Sequence, residues 1–187
     1  MYVLSVAAFH EDTVAVARYY LTDALDGFRA LNLPGRSAWT LTYLASLDSR
    51  DAIDEGGSAD DLARAAGLNE EALALFRTVN HTHGIARALH GFAYVTYKQR
   101  DLPRALAITQ EVLALDWGQR WPVYYYLEDI ADIAGRIDQP EVAARLYGAA
   151  DGLRERAGRP VEPVFRAEYE RDTAFALQAL GEAAFVA

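Results

Sequence analysis

Apolar side chains recur along this chain at the spacing of amphipathic helices. No segment alternates with period two for long enough to be a good strand, and every proline lies at or near the end of a predicted segment. The pattern therefore predicts an all-α protein. The predicted helices span residues 2–10, 12–31, 36–50, 59–78, 84–99, 101–116, 120–136, 139–156 and 163–180.

Four alanines mark a repeat, because each lies in a predicted helix with a small or apolar residue seven positions later. They are Ala17, Ala65, Ala105 and Ala143, at intervals of 48, 40 and 38 residues. A repeat of this length predicts stacked helical hairpins that form a solenoid, and solenoids mostly bind rather than catalyse. The residues seven positions later are Ala24, Ala72, Val112 and Ala150.

Two polar stretches interrupt the helical pattern of an otherwise single predicted repeat domain, residues 1–187. Residues 51–58 are acidic and contain Gly56 and Gly57, which predicts a flexible surface insertion. A tolerated loop is favoured there over a functional lid. Residues 157–163 contain glycine and proline and form a predicted linker to a terminal helix.

The segment from 84 to 115 resembles a tetratricopeptide repeat. It has a small residue, Ala93, in its first helix, a turn at Arg100 and Asp101, and Ala105 and Val112 seven apart in its second helix. The resemblance implies a right-handed α-solenoid of helical hairpins with a C-terminal capping helix. It also implies that the first helix of each hairpin lines a concave groove.

The C-terminal third resembles the end of the repeat region in bacterial LuxR-type signal-transduction ATPase regulators. The similar stretches are Gln-Pro-Glu at 139–141, Ala-Ala-Arg-Leu-Tyr-Gly-Ala-Ala at 143–150, and the segments 168–171 and 180–185. In that family a nucleotide-binding domain precedes the repeats, and this sequence does not contain it. We therefore expect a fragment of a longer regulator, in which the repeats bind an effector or hold the ATPase domain in check.

The tetratricopeptide resemblance also assigns side chains to the groove. Together they combine aromatic area with both signs of charge, a composition that is enriched at protein contact sites. The alternative is the solvent-exposed polar face of ordinary amphipathic helices. The expected groove residues are Trp39, Arg87, His90, Tyr94, Tyr97, Lys98, Tyr125, Glu128, Asp132 and Arg136, with Thr42, Ser46 and Arg50 as further positions.

Several kinds of chemical site are excluded or disfavoured by the sequence. Lys98 is the only lysine and follows Tyr97, so a phosphate-binding loop of the form GxxxxGK[ST] cannot exist. A metal site built from the histidines at 81, 83 and 90 is a weaker interpretation than a polar loop. An acid–base pair among the carboxylates at 128, 129 and 132 is a weaker interpretation than an acidic surface. We therefore predict no catalytic residue, no cofactor and no metal.

The net charge of −9 disfavours direct binding to nucleic acid, because the field of the chain repels another polyanion. No apolar run approaches the roughly 18 residues that span a membrane, and no secretion signal is recognised, which favours a cytoplasmic location. The predicted function is that of a non-catalytic module of a bacterial signalling or transcriptional regulator, which binds a protein, a peptide or a small effector. That protein partner could be an ATPase domain of the same regulator. The alternatives are a stand-alone peptide-binding scaffold that oligomerises and, third, a small-molecule enzyme built in the groove.

Overall fold

The computed structural model describes residues 11–54, 59–116, 122–161 and 163–180. Within these ranges the backbone forms eight α-helices and contains no strand, in agreement with the all-α prediction. The helix predicted at 2–10 lies outside the described residues. The helices are α1 (Glu11–Ala30), α2 (Pro34–Asp54), α3 (Ala59–Thr78), α4 (Thr82–Lys98), α5 (Leu102–Asp116), α6 (Val123–Arg136), α7 (Pro140–Ala157) and α8 (Pro163–Leu180).

The chain forms two compact units, Met1–Asp101 and Leu102–Ala187. In the first unit each helix from α1 to α4 packs against the next one along the chain, and α2 also contacts α4. In the second unit α6 packs against α5 and α7, while α8 packs against α7 and also contacts α6. None of the helices in the described ranges combines the length and the apolar character needed to cross a membrane.

The small residues that mark the repeat lie in helix contacts, as expected from their spacing. Ala17 is also buried, whereas Ala24 is only half-buried. Because a small side chain lets two helices approach closely, these positions leave little room for a larger residue. The six almost completely buried positions are Ala65, Ala72, Ala105, Val112, Ala143 and Ala150.

Residues with left-handed backbone conformation end four helices at the intervals found for the alanines. Asn32 (φ 51°) and Asn80 (φ 50°) lie 48 residues apart, after α1 and α3. Arg100 (φ 67°) and Asp138 (φ 60°) lie 38 residues apart, after α4 and α6. In each turn the next N–H donates to the carbonyl five residues earlier at 2.9 to 3.2 Å, which satisfies an otherwise unpaired group at the helix end. The turns therefore repeat with the small residues.

The apolar core of the first unit draws on all four of its helices. Leu25 of α1, Leu41 of α2, Phe76 of α3 and Ala88 of α4 belong to one buried cluster. Gly84 begins the contact of α4 with α3, because a Cβ at this position would lie 2.2 Å from Cδ1 of Phe76. The aromatic ring thus occupies the space that a side chain at position 84 would need.

A second close contact between α3 and α4 joins Asn69 and Gly91. Asn69 is buried, and its Nδ2 donates to the carbonyl of Ala65 at 3.0 Å. A Cβ at Gly91 would lie 2.6 Å from Oδ1 of Asn69, so glycine is required there by the approach of α3. Within the described residues this Oδ1 accepts no hydrogen bond.

One buried carboxylate joins three helices of the first unit. Asp48 on α2 has a side chain that is 1% exposed, and it forms ion pairs with Arg18 on α1 and Arg64 on α3. Arg64 Nε lies 3.2 Å from Oδ2 of Asp48, and the same guanidinium pairs with Asp61 on its own helix. Because a buried charge without a partner is strongly destabilising, both arginines hold their helices against α2.

Two helix boundaries differ from the sequence prediction. α2 continues through Asp54, so the first half of the predicted acidic insertion is helical, while residues 55–58 lie outside the described residues. The extension is physically reasonable because residues 51–54 contain no helix breaker and the first glycine is Gly56. At the other end, α7 is closed by Gly158 in the left-handed conformation (φ 61°), and α8 begins at Pro163.

We predict that Ala65→Leu and Ala105→Leu each lower the free energy of unfolding by about 1–3 kcal/mol, because overpacking a close helix contact strains both helices. Both alanines are completely buried. Urea denaturation followed by circular dichroism measures the change. The matched control is Gly67→Ala in the interior of α3, where an added Cβ meets nothing within 4 Å. This control should raise stability by up to about 1 kcal/mol. Wild-type stability of both leucine variants would show that the repeat frame is misplaced.

Candidate functional site

The predicted groove positions of the first unit lie on α2 and α4, two helices in mutual contact. Arg87 on α4 donates from Nη2 to the Oγ of Ser46 on α2 at 2.8 Å. Ser46 is exposed and Arg87 is half-buried. Positions assigned to the grooves of two successive hairpins are therefore adjacent in space.

The remaining predicted groove residues of α4 lie on the same side of the helix as Arg87. Helical geometry puts positions 87, 90, 94, 97 and 98 within an arc of about 100°. All five are half-buried. We call this surface the α2–α4 face, and it consists of Ser46, Arg87, His90, Tyr94, Tyr97 and Lys98.

The end of the α2–α4 face combines a cation with two aromatic rings. Nζ of Lys98 lies 5.1 Å from the ring centroid of Tyr94 and 5.4 Å from that of Tyr97. At these distances the cation is attracted by both rings, which restricts the lysine to the aromatic surface. The result is a partly ordered patch that offers apolar area and positive charge together.

Other predicted groove positions on α2 contribute to the interior of the unit. Trp39 is half-buried, and its ring packs edge-on against Phe76 and His81, with centroids 5.2 and 5.9 Å apart. Thr42 is completely buried and donates to the carbonyl of Trp39 at 2.8 Å, so the prediction that it lines a groove is wrong. The side chain of Arg50 lies outside the described part of the chain.

In the second unit, the predicted groove residues Tyr125 and Glu128 surround Arg154 of α7. Nε and Nη2 of Arg154 donate to the two carboxylate oxygens of Glu128 at 2.5 and 2.8 Å. The guanidinium also lies over the rings of Tyr124 and Tyr125, at 4.2 and 4.9 Å from their centroids. A planar guanidinium suits both contacts at once, and a lysine could not reproduce them.

Burial governs the electrostatics of this pair. Desolvation raises the pKa of Glu128, and the hydrogen bonds and charge of Arg154 offset part of that rise. Desolvation opposes the charge of Arg154, but the hydrogen bond and charge of Glu128 outweigh it and raise the pKa of the arginine. Arg154 therefore stays charged, and Glu128 is engaged inside the unit.

A second carboxylate of α6 is also engaged with α7. Asp132 accepts a hydrogen bond from the hydroxyl of Tyr147. Burial raises the pKa of Asp132 to about 7, Asp172 and Asp129 raise it further, and the Tyr147 hydrogen bond and Arg136 oppose the rise. Asp132 therefore changes charge near neutral pH. The predicted groove residue Arg136 is itself exposed.

A third polar pair connects α7 and α8. The hydroxyl of Tyr169 donates to Oδ1 of Asp151 at 2.6 Å, and burial raises the pKa of this tyrosine. The Tyr169 ring also packs edge-on against Tyr147 at 5.6 Å. We call the three pairs, Glu128–Arg154, Asp132–Tyr147 and Asp151–Tyr169, the α6–α8 polar cluster. Each of its carboxylates has a partner on a neighbouring helix, which argues against an acid–base pair poised for a substrate.

The histidines have local roles. His81 caps α4, since its Nδ1 accepts a hydrogen bond from the backbone N–H of Gly84 at 2.9 Å. Its ring also packs against Phe76. In the ranges that the structure covers, no three His, Asp or Glu side chains are grouped to hold a metal ion.

Arg154, Tyr147 and Asp48 are the important polar residues that sequence reasoning missed. A signal for each is present in the helical spacing. Arg154 and Tyr147 follow Ala143 by 11 and 4 residues, on the buried side of α7. Asp48 follows the buried Leu44 by four residues. A charge on an apolar helix face requires a partner from another helix, but the sequence does not say which one.

Comparison with known proteins does not identify a family. No protein-family model matches the chain, and no curated protein matches it. Among solved structures, a chain titled "DHF119 filament" is 20% identical and the match covers 97% of this chain and 90% of that one, with a TM-score of 0.29. A likeness at this TM-score supports no argument about fold or function.

We predict that Arg154→Met lowers the free energy of unfolding by about 2–4 kcal/mol, because it leaves Glu128 half-buried without a cation. Adding Glu128→Gln should recover part of the loss, since the neutral amide costs less to bury. A double-mutant cycle measured by urea denaturation tests this coupling. Equal losses in the single and the double variant would mean that packing, rather than charge, explains the role of Arg154.

The pKa of Asp132 predicts a pH-dependent stability. Its folded pKa is about 7, whereas an unperturbed aspartate has a pKa of about 3.9. Between these values the folded chain holds a proton that the unfolded chain has lost, so stability falls as the pH rises from about 4 to 7. Asp132→Asn keeps an acceptor for Tyr147 and removes this penalty.

We therefore expect Asp132→Asn to be more stable than wild type by about 1–3 kcal/mol at pH 8 and nearly equal at pH 4. The measurement is urea denaturation at both pH values, with Glu155→Gln on the exposed side of α7 as the control. A difference between variant and wild type that does not change with pH would contradict the assignment.

Proposed function

We propose that this chain is a non-catalytic binding module of tetratricopeptide type, a right-handed α-solenoid with a capping helix that serves a bacterial signalling or transcriptional regulator. The observation that carries the proposal is the 2.8 Å hydrogen bond between Arg87 and Ser46. It brings together two positions that the repeat assigns to the inner helices of successive hairpins. The resemblance of residues 139–185 to bacterial regulators supports the cellular role.

The chemistry of the α2–α4 face favours a ligand with both apolar and acidic groups. Tyr94 and Tyr97 offer aromatic area that loses little conformational freedom on binding. Lys98 and Arg87 add positive charge in a chain whose net charge is −9. A local cationic patch in an acidic protein attracts an acidic segment and disfavours basic ones, which gives selectivity rather than affinity alone. An acidic, partly apolar peptide or protein segment fits these properties best.

The α6–α8 polar cluster is less suited to contact a partner. Glu128 and Asp132 are both hydrogen-bonded to α7, so a ligand would have to replace Arg154 or Tyr147. Removing a partner from a half-buried carboxylate is costly. We therefore assign the cluster to holding α6, α7 and α8 together, and binding to the α2–α4 face.

A stand-alone scaffold that oligomerises is the second candidate. One observation favours it, because α1 exposes Tyr19 and Tyr20 by more than half of their surface. Sedimentation equilibrium of residues 1–187 separates the two functions. A concentration-dependent dimer would favour the scaffold, and a monomer that binds a ligand would favour the module.

The proposal predicts which substitutions abolish binding. Peptides of 15 residues are selected from a random display library against residues 1–187, and the best peptide is titrated by calorimetry. Tyr94→Ala and Tyr97→Ala should each weaken it about 30-fold, the effect expected of an interface aromatic. Lys98→Glu should weaken acidic peptides and make their binding less sensitive to salt.

The matched control is Phe175→Ala, which removes an exposed aromatic side chain from α8. It should leave the affinity unchanged. Thermal unfolding of every variant distinguishes lost binding from lost folding. Unchanged affinity in folded tyrosine variants would remove the α2–α4 face as the binding site, and unfolding would assign both tyrosines to the core.

A further inference from the structure

Helix α1 has apolar side chains on two opposite sides. Leu25 and its neighbours face the core of the first unit. On the other side Val16, Tyr20 and Leu31 are 51%, 58% and 69% exposed, and Tyr19 beside them is 69% exposed. The first three are spaced by 4 and 11 residues and form one stripe along the helix. An exposed apolar stripe of this kind marks an interaction surface more often than a solvated helix face.

The middle of this stripe contains a glycine that the chain's own packing does not require. A Cβ at Gly27 would meet nothing within 4 Å. Glycine destabilises the interior of a helix relative to alanine. Its presence therefore has another physical benefit, which is that a second helix can approach the backbone of α1 closely at this point.

The repeat inside the unit indicates what covers the stripe. α1 and α3 are related by the 48-residue interval between Ala17 and Ala65, so Val16 corresponds to Arg64. Arg64 contacts Asp48 of α2, the helix that precedes α3. The equivalent side of α1 is the side on which a helix would pack if it preceded α1 in the same way.

The charge on the stripe specifies the chemistry of that helix. Asp23 is exposed and lies midway between Val16 and Leu31. It corresponds to Glu71 of α3, which pairs with Arg29 of α1 at 2.6 Å. The equivalent carboxylate of the repeat thus accepts a guanidinium from a neighbouring helix. The helix that covers α1 is therefore expected to offer an arginine or lysine at Asp23.

The same carboxylate argues against a second copy and against a lipid surface. If two α1 helices paired about the middle of the stripe, parallel or antiparallel, the two Asp23 side chains would meet, and like charges at an interface are destabilising. An anionic membrane would be repelled by Asp23 and by the net charge of −9.

We propose that the outer face of α1, formed by Val16, Tyr19, Tyr20, Asp23, Gly27 and Leu31, docks an amphipathic helix from a different polypeptide. The apolar stripe of that helix covers Val16, Tyr20 and Leu31, and a basic side chain in its middle pairs with Asp23. The stripe on α1 is about 22 Å long, so the docked helix has at least about 15 residues. This surface is separate from the α2–α4 face and does not depend on the function proposed for it.

A library of helical peptides tests the proposal. Each peptide is an 18-residue alanine-rich helix with a randomised apolar stripe and one fully randomised central position, selected by display on residues 1–187. We expect arginine or lysine to be enriched at the central position. Tyr20→Asp should weaken the selected peptide about 30-fold, and Asp23→Arg about 10-fold. Selection repeated on Asp23→Arg should enrich glutamate or aspartate instead.

Two controls keep the result specific. Phe175→Asp alters an exposed aromatic residue on α8, and Tyr97→Ala alters the α2–α4 face; both should leave affinity for the selected peptide unchanged. If Tyr20→Asp fails to fold in a thermal melt, the charge reversal at Asp23 decides the matter alone. A loss of peptide binding in Tyr97→Ala would mean that the peptide occupies the α2–α4 face and would overturn the proposal.

Three further outcomes would also overturn it. One is that no helical peptide is enriched, or that the central preference stays basic on Asp23→Arg. Another is that sedimentation shows a wild-type dimer that Tyr20→Asp converts to a monomer, which would make a second copy the occupant. The last is that vesicles with anionic phosphatidylglycerol bind the wild-type chain and not Tyr20→Asp, which would make the face a lipid contact.

Discussion

The buried carboxylate of Asp48 is the constraint on which the first unit depends. Its charge is removed from water, and it is stabilised only while Arg18 and Arg64 reach it from two different helices. This fixes α2 between α1 and α3. Ser46, two residues earlier on α2, then points to another side, where it accepts the hydrogen bond of Arg87. The position of the α2–α4 face thus follows from an ion pair on the opposite side of the same helix.

The second unit holds its helices together with several polar pairs instead of one shared carboxylate. The α6–α8 polar cluster joins α6 to α7 twice and α7 to α8 once. Such pairs specify one arrangement of helices, because a shifted arrangement would bury groups without partners. They also make the unit sensitive to pH through Asp132. The side chains that look most reactive in the sequence therefore do structural work here.

Helices and turns could be predicted from sequence because their causes are local. Apolar spacing, prolines and residues that tolerate the left-handed conformation, such as Asn32 and Asn80, act within a few positions. The groove was predicted less well. Thr42 and Ser46 lie one turn apart, yet one is completely buried and the other exposed, because the width of the buried arc depends on how α3 and α4 pack. The role of Arg154 likewise depends on Glu128, 26 residues away on another helix.

The contact between α3 and α4 has a consequence for how this sequence can change over evolution. Phe76 fills the space of a side chain at position 84, and Asn69 fills that at position 91. Neither glycine can be replaced unless the facing residue becomes smaller or moves. In an alignment of sequences that share this packing, positions 76 and 84 should vary together, as should 69 and 91. Covariation at these two pairs would identify relatives whose overall sequence identity is too low to recognise.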